Sequence, residues 1–413
     1  MKTKNLLALG LVAAAILLLG LVVRQANRSQ WGSDSANVGA PLLPDLPINE
    51  IATISITGSD QSVTLARREG KWRVLERYGY PADWARISQA VKKLANETVT
   101  QAITVGPSQY DRLELLPPDG EPADKTGTRV RFLNAAGASL ARLRLGKLHM
   151  SDGDAAQNPM TRGQSFPDGR YILLPDSADN ADRKQVVLVS NPFESFVPDP
   201  TQWLNTQFLE IQDLSSARLE RENETVWRLQ SAPDSDKLTL AGDIPESMIL
   251  KTSAVSETAR ALAYARINDI ADPELPDSET GMDNPAIFHA VNDNHVACTI
   301  KIGAKTGNNY YVQANLAYRE PDAANNDDSE SESTSEKQTP DPDEIRAKTQ
   351  KLNELLDGWT YLIPQQNVSK LIRPRNEFLK EKKNDNSDEE SRQNPTPNTP
   401  AAPQTPPPPP TGE

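Results

Sequence analysis

From Ile51 onward the chain is a succession of short alternating runs. Ile51, Ile54 and Ile56 open the pattern, Val63 and Leu65 continue it, and Trp72 and Val74 close it. Asp60 and the group Arg68-Glu69-Gly70 stand between the runs where turns are needed. A period of two with turn residues at these intervals predicts an antiparallel meander with Trp72 on its buried face. Past Tyr80-Pro81-Ala82-Asp83 the period changes. Trp84, Ile87, Val91 and Leu94 recur at helical spacing, Lys92 and Lys93 point the other way, and Asp83 is placed to cap the first turn. This predicts a helix lying on the sheet. Val99 to Val105 returns to strand spacing, and the Pro- and Asp-rich stretch from Leu115 to Lys125 reads as a loop.

The same succession then recurs. Ser62–Leu75, SVTLARREGKWRVL, has a close variant in Ser216–Leu229, SARLERENETVWRL, each ending on a Trp two residues before an apolar residue. Val130–Gly146 and Ile287–Gly303 are of equal length and share an apolar-basic-apolar-Gly ending. Leu143 and Leu145 match Ile300 and Ile302 as inward residues, Arg144 and Lys301 face water, and Cys298 falls level with Ala141. A later strand follows in each half, at Tyr171–Pro175 and Tyr361–Pro364, and closing segments end near Phe193–Phe196 and Leu371–Phe378. Ser253–Tyr264 supplies the second helix, with Val255, Ala259, Leu262 and Ala263 inward. The predicted fold is α+β. Two tandem related repeats, residues 47–207 and 208–379, each combine antiparallel meanders and hairpins with a packed helix. The second alone carries an acidic, low-complexity insertion at 320–345, which has too little apolar surface to offset its ordering entropy.

Ahead of this lies Leu6–Val23, eighteen apolar residues without interruption, preceded by Lys2 and Lys4 and followed by Arg24 and Arg28. As a helix it would span roughly 27 Å, close to the hydrocarbon thickness of a bilayer. A cleaved signal peptide is the alternative, but Val22-Val23-Arg24-Gln25-Ala26 offers no small-x-small site. The reading is an uncleaved transmembrane helix at 6–23 with a cytoplasmic tail at 1–5 and a flexible stalk at 24–46. That places the bulk of the chain on the periplasmic side of an inner membrane. Residues 380–413 are polar and then almost entirely Pro and Thr, a solvated tail.

Composition narrows the function classes. The 413 residues carry a net charge of −13, with 5% aromatics and 33 prolines. An acidic chain of this kind excludes a broad nucleic-acid-binding surface. One cysteine, Cys298, excludes an internal disulfide and every paired-Cys metal motif, and its alternation places it in the core. No phosphate-binding glycine loop, nucleophile elbow or paired-His helix is present. His149 with Asp152 and Asp154 could offer ligands to a cation, although the loop HMSDGD is ordinary turn chemistry. His289 and His295 flank the turn Asn292-Asp293-Asn294 without an evident third ligand. Trp72, Trp84, Trp203 and Trp227 could line an aromatic cleft, but their spacing favours packing. No catalytic, cofactor or metal residue is therefore assigned, and a non-enzymatic protein is expected.

The Trp-ended hairpin at Trp72 and the run Tyr80-Pro81-Ala82-Asp83 into a helix are followed by Leu143-Arg144-Leu145-Gly146-Lys147 and Tyr171-Ile172-Leu173. With the passage from Trp203-Leu204 to Phe208-Leu209, this order resembles the bacterial domain of unknown function 4340 family. The resemblance covers Ile51 to Phe378. The acidic insertion, the Pro-rich tail and Ile244-Pro245-Glu246 in place of a second Tyr-Pro-Ala-Asp entry depart from it. It implies an N-terminal anchor and, because members are often encoded beside gliding-type ABC-2 transporter components, an envelope or ABC-transporter partner. The expectation is a membrane-anchored scaffold or accessory subunit. The alternatives are a glycan- or peptide-binding module using the cleft between the halves and, further off, a metal-dependent hydrolase around His149.

Overall fold

Two large antiparallel sheets organise the chain. The computed structural model describes residues 38–152, 165–174, 185–232, 235–320 and 341–382. The first sheet opens with β1 (Thr53–Thr57), β2 (Ser62–Arg68), β3 (Lys71–Val74) and β4 (Tyr80–Pro81). Helix α1 (Trp84–Ala95) and β5 (Val99–Ile103) follow, then β6 (Thr128–Leu133), β7 (Ser139–Asp152), β8 (Ser165–Leu174) and β9 (Gln185–Val189). Its order is β4-β3-β2-β1-β6-β7-β8-β9-β5, so the strand after the helix is carried to the far edge beside β9. The alternation read from the sequence sets the faces: Ile54, Ile56, Val63, Leu65, Val130 and Leu145 are all essentially inaccessible.

The second part opens with β10 (Gln207–Leu209), β11 (Leu214–Arg221), β12 (Glu224–Ala232), β13 (Ser235–Leu240) and β14 (Met248–Leu250). Helix α2 (Thr252–Ala259), β15 (Ala265–Arg266), β16 (Asp269–Ile270) and α3 (Asp277–Thr280) lead to β17 (Ala286–Asn292), β18 (Val296–Thr306) and β19 (Asn309–Tyr318). The chain closes with α4 (Pro342–Leu356), β20 (Tyr361–Pro364), α5 (Gln365–Leu371) and β21 (Leu379–Glu381). The second sheet runs β13-β12-β11-β17-β18-β19-β20-β16, while β10 pairs with β15 and β14 with β21. Here too a strand that follows a helix, β16, closes the far edge. The inner faces of both sheets share one continuous apolar core.

The two Trp-ended segments do not occupy equivalent places. Ser62–Leu75 spans β2 and β3, whereas Ser216–Leu229 spans β11 and β12, one hairpin earlier in the strand order. The similarity comes from the turns: Glu69-Gly70 and Glu222-Asn223 are both two-residue connections with positive φ at both positions. The later hairpins do coincide, β6–β7 with β17–β18. Val130 pairs with Leu143 and Phe288 with Ile300, so Val130 lies level with Phe288, one residue on from the equal-length alignment. Phe132 faces Ala141 and Ala290 faces Cys298, which keeps Cys298 at the level expected.

Helix α1 is capped as its sequence predicts: the Asp83 carboxylate accepts from the Arg86 N–H at 3.1 Å. It buries Ile87, Ala90, Val91 and Leu94, but Trp84 is 59% exposed and stacks on Trp72 from outside, with centroids 6.3 Å apart. Helix α2 stops at Ala259, and Leu262 and Ala263 are buried from the turn that follows. Helix α4 was not legible in the sequence and begins inside the stretch assigned to the acidic insertion. Asp341 caps it, Pro342 opens it, and the Asn353 side chain accepts from the Leu316 N–H on β19 at 2.9 Å. Lys380 and Glu381, assigned to the tail, belong to β21. Among the described residues no helix is long and apolar enough to cross a membrane, and the run Leu6–Val23 lies outside them.

Candidate functional site

The sequence-predicted polar candidates are separate small contacts. His149 lies on β7 with Nδ1 2.6 Å from Oδ1 of Asp168, and its ring meets Tyr171 edge-on at 6.1 Å. Asp168 comes from β8, where an irregularity in the β7–β8 register brings it beside His149, and no spacing in the sequence announces it. Asp152 ends β7 opposite Ser165, and Asp154 lies outside the described residues. His289 sits with Nε2 3.2 Å from Glu220 and Nδ1 3.2 Å from the Thr299 hydroxyl. Glu220 in turn meets the Arg218 guanidinium at 2.8 Å. His295 is in the β17–β18 turn with φ +58, away from His289. Among the described residues no three His, Cys, Asp or Glu side chains converge on a point that could hold a metal ion. Cys298 is buried, and burial pushes its thiol pKa far up.

Of the four candidate tryptophans, Trp72, Trp203 and Trp227 are core. Trp203 and Trp227 are buried and donate their indole N–H groups to Val197 O and Arg373 O, both at 2.8 Å. Trp72 is covered by Trp84. Of these four only Trp84 is exposed, beside an open basin of about 680 Å³ with Ser88, Lys92 and Asn96 on the outer side of α1. A second open groove, about 640 Å³, runs between α2 and the β11–β13 end of the second sheet, with Asp213, Arg260 and Tyr264 on its rim.

The most connected constellation is the joint between the sheets, and Tyr80-Pro81-Ala82-Asp83 stands at its centre. Ala82 bridges to Leu204, the Asp83 N–H donates to Trp203 O at 2.8 Å, and the Asn205 N–H donates to Pro81 O at 3.0 Å. Tyr80 is 1% exposed and meets Trp359 and Tyr361 edge-to-face at 5.1 and 6.1 Å. Phe208 lies 5.0 Å from Tyr361. At the rim the Arg77 Nε donates to Asp269 at 2.6 Å, tying the first sheet to β16. Burial raises the Tyr80 phenol to about 12. It raises Tyr361 further, helped by the neighbouring Tyr80. This joint is a packed aromatic contact between the two sheets, with Tyr80 and Tyr361 both buried in it.

A family model described as a domain of unknown function, DUF4340, matches residues 72–285, more than half of the chain. The chain belongs to that family. No curated protein and no solved structure matches it. The DUF4340 match begins on β3 at Trp72 and stops one residue short of β17, so it takes in α1, the Tyr-Pro-Ala-Asp segment and β10. The DUF4340 match therefore takes in parts of both sheets and the Tyr80 and Phe208 side of the joint, while Trp359 and Tyr361 lie beyond it.

Proposed function

We propose that this DUF4340 protein is a non-enzymatic scaffold or accessory subunit of an envelope or ABC-transporter complex. It is anchored in the membrane by residues 6–23, with its folded part outside the cytoplasm. The observation that carries this reading is the uninterrupted apolar run Leu6–Val23, flanked by cations and standing ahead of the described residues, which begin at Val38. The transporter partner is implied by the family resemblance.

The folded part reads as two copies of one α+β unit. The strand orders support this, since each sheet matches the other strand for strand from its three-stranded meander to the edge strand that follows a helix. So do Gly146 and Gly303, which hold the same place on β7 and β18. In each case a backbone carbonyl from the segment preceding the hairpin, Leu113 or Thr280, approaches where a Cβ would stand. A duplicated unit with a rigid joint suits a spacer or platform. The competing reading, capture of a glycan or peptide between the halves, meets a space occupied by Tyr80, Trp359, Tyr361 and Phe208.

Carbonate extraction of membranes, with reporter fusions at each end, tests the anchor. Cross-linking followed by affinity purification tests the partner. The expected result is a carbonate-resistant protein that co-purifies with an ATPase–permease pair or another envelope complex. Recovery of a free, extractable monomer would count against the proposal.

A further inference from the structure

The outward face of the first sheet carries four arginines in two facing pairs. Arg131 on β6 lies directly opposite Arg142 on β7, and Arg129 lies opposite Arg144. Members on one strand are two residues apart and so share a face about 7 Å from each other, while facing members are about 5 Å apart. Like charges directly opposite each other oppose strand pairing, and here two such pairs stand side by side. Counter-charge is thin. Among the described residues the one carboxylate ion-paired with any of the four is Asp119, itself 84% exposed, 3.4 Å from Arg129. Arg144 directs one N–H to Leu115 O at 2.7 Å. Arg131 and Arg142 are exposed. On β1 the next residues in the rows are Ser55 and Thr57, whose hydroxyls add neutral donors.

The same face of the second sheet is built differently. Arg218 is answered there by Glu220, which also meets His289, and α4 packs over β19. Two facing arginine pairs thus stand side by side on the first sheet, against one on the second, where Arg228 lies opposite Arg218, in a chain whose net charge is −13. The first sheet is also where the chain enters the fold: Gly39 and Leu42 donate to Val99 O and Glu97 O, and Pro41 bridges to Thr98, beside the edge strand β5. β5 is three strands from β7, on the order of 15 Å. Between the apolar run and the first described residue lie residues 24–37, a tether of at most about 50 Å.

We infer that the Arg129–Arg131–Arg142–Arg144 face docks on the phosphate headgroups of an anionic bilayer. It would lay the first sheet against the membrane that holds the N-terminal run. The inference rests on the membrane-anchor reading above. A row of guanidinium forks matches headgroup phosphates, and basic segments close to a bilayer are drawn to anionic lipid.

The test uses the full-length protein with Ala136→Cys labelled in the exposed β6–β7 turn; buried Cys298 stays unlabelled. It is reconstituted in nanodiscs of phosphatidylcholine alone or mixed with phosphatidylglycerol, each carrying a headgroup quencher. The expected result is quenching at least several-fold stronger in the anionic discs, abolished by high salt and by Arg131→Glu with Arg142→Glu. Arg131→Gln with Arg142→Gln should weaken it partially, and a thermal midpoint no lower than the native one shows that these variants fold. Equal quenching in both lipids, or in native and charge-reversed protein, overturns the inference. So does a label that responds to added polyglutamate but not to anionic discs, which would identify an acidic protein partner instead. Failure to co-elute with any disc ends the anchor reading. In that case pelleting with anionic but not neutral vesicles still supports the docking face, and no pelleting ends both.

Discussion

Gly146 and Gly303 show how one residue records a contact that its neighbours in sequence cannot explain. A Cβ at Gly146 would stand 2.4 Å from Leu113 O, and one at Gly303 would stand 2.1 Å from Thr280 O. Both obstacles are backbone, so relief requires moving a chain segment. Alanine at either position is expected to cost about 1–3 kcal/mol or more by overpacking, measured by denaturant unfolding. Gly106→Ala is the control: φ is −85 and nothing lies within 4 Å, so the change should be neutral or stabilising by about 0.4–1 kcal/mol. Equal losses at all three positions would remove the packing explanation. The Leu-x-Leu-Gly and Ile-x-Ile-Gly endings were legible in the sequence as matching strand ends. Their reason was not, because each carbonyl arrives from more than twenty residues away.

At the scale of elements, period and turn chemistry predicted most strands and the position of α1, while burial at its ends went unread. Trp84 has helical spacing with Ile87 and Val91, but it stands at the first helical position, where Trp72 already covers the sheet. Spacing reports which side a residue is on; it does not report how far the underlying sheet extends. Trp84→Ala should therefore cost only about 0.5–1.5 kcal/mol, the scale of one stacked pair. Trp227→Ala should cost about 3–5 kcal/mol, since it empties a core site and orphans Arg373 O. Comparable melting shifts for the two variants would contradict this assignment. Helix α4 escaped prediction for the opposite reason. It buries only Thr349 and Leu356 among its residues and holds its place through the Asn353 contact, so no apolar stripe marks it. The repeated Trp motif reflects two-residue turns with positive φ that recur in hairpins at different places in the two sheets.

The whole molecule depends on the aromatic joint, and the joint has a pH signature. An unfolded tyrosine ionises near pH 10. In the fold Tyr80 holds its proton up to about 12, and Tyr361 is shifted in the same direction. Both pKa values are raised, so their contribution to stability is fully present below pH 10 and is lost as pH rises from there through the folded values. The thermal midpoint should fall steeply above pH 10, and Tyr80→Phe and Tyr361→Phe should each flatten that fall. Identical alkaline profiles in native and variant proteins would show that these phenols do not lie in the joint. The sequence marked Tyr80-Pro81-Ala82-Asp83 only as the entry to a helix. Its pairing with Leu204, Trp203 and Asn205 spans more than a hundred residues, beyond the reach of any local pattern.

The edge strands also set a schedule for the growing chain. β5 leaves the ribosome with its partner unmade, since Val99 pairs with Val189, and Ile270 likewise waits for Tyr361. At about 5–20 residues per second, roughly ninety residues of synthesis leave each such strand without its ladder for on the order of 5–20 seconds. Repeatedly during its translation the nascent protein presents an unpaired edge of the kind that recruits other chains, since Met248 waits in the same way for Glu381. Those intervals are when a holding chaperone would matter most to its yield.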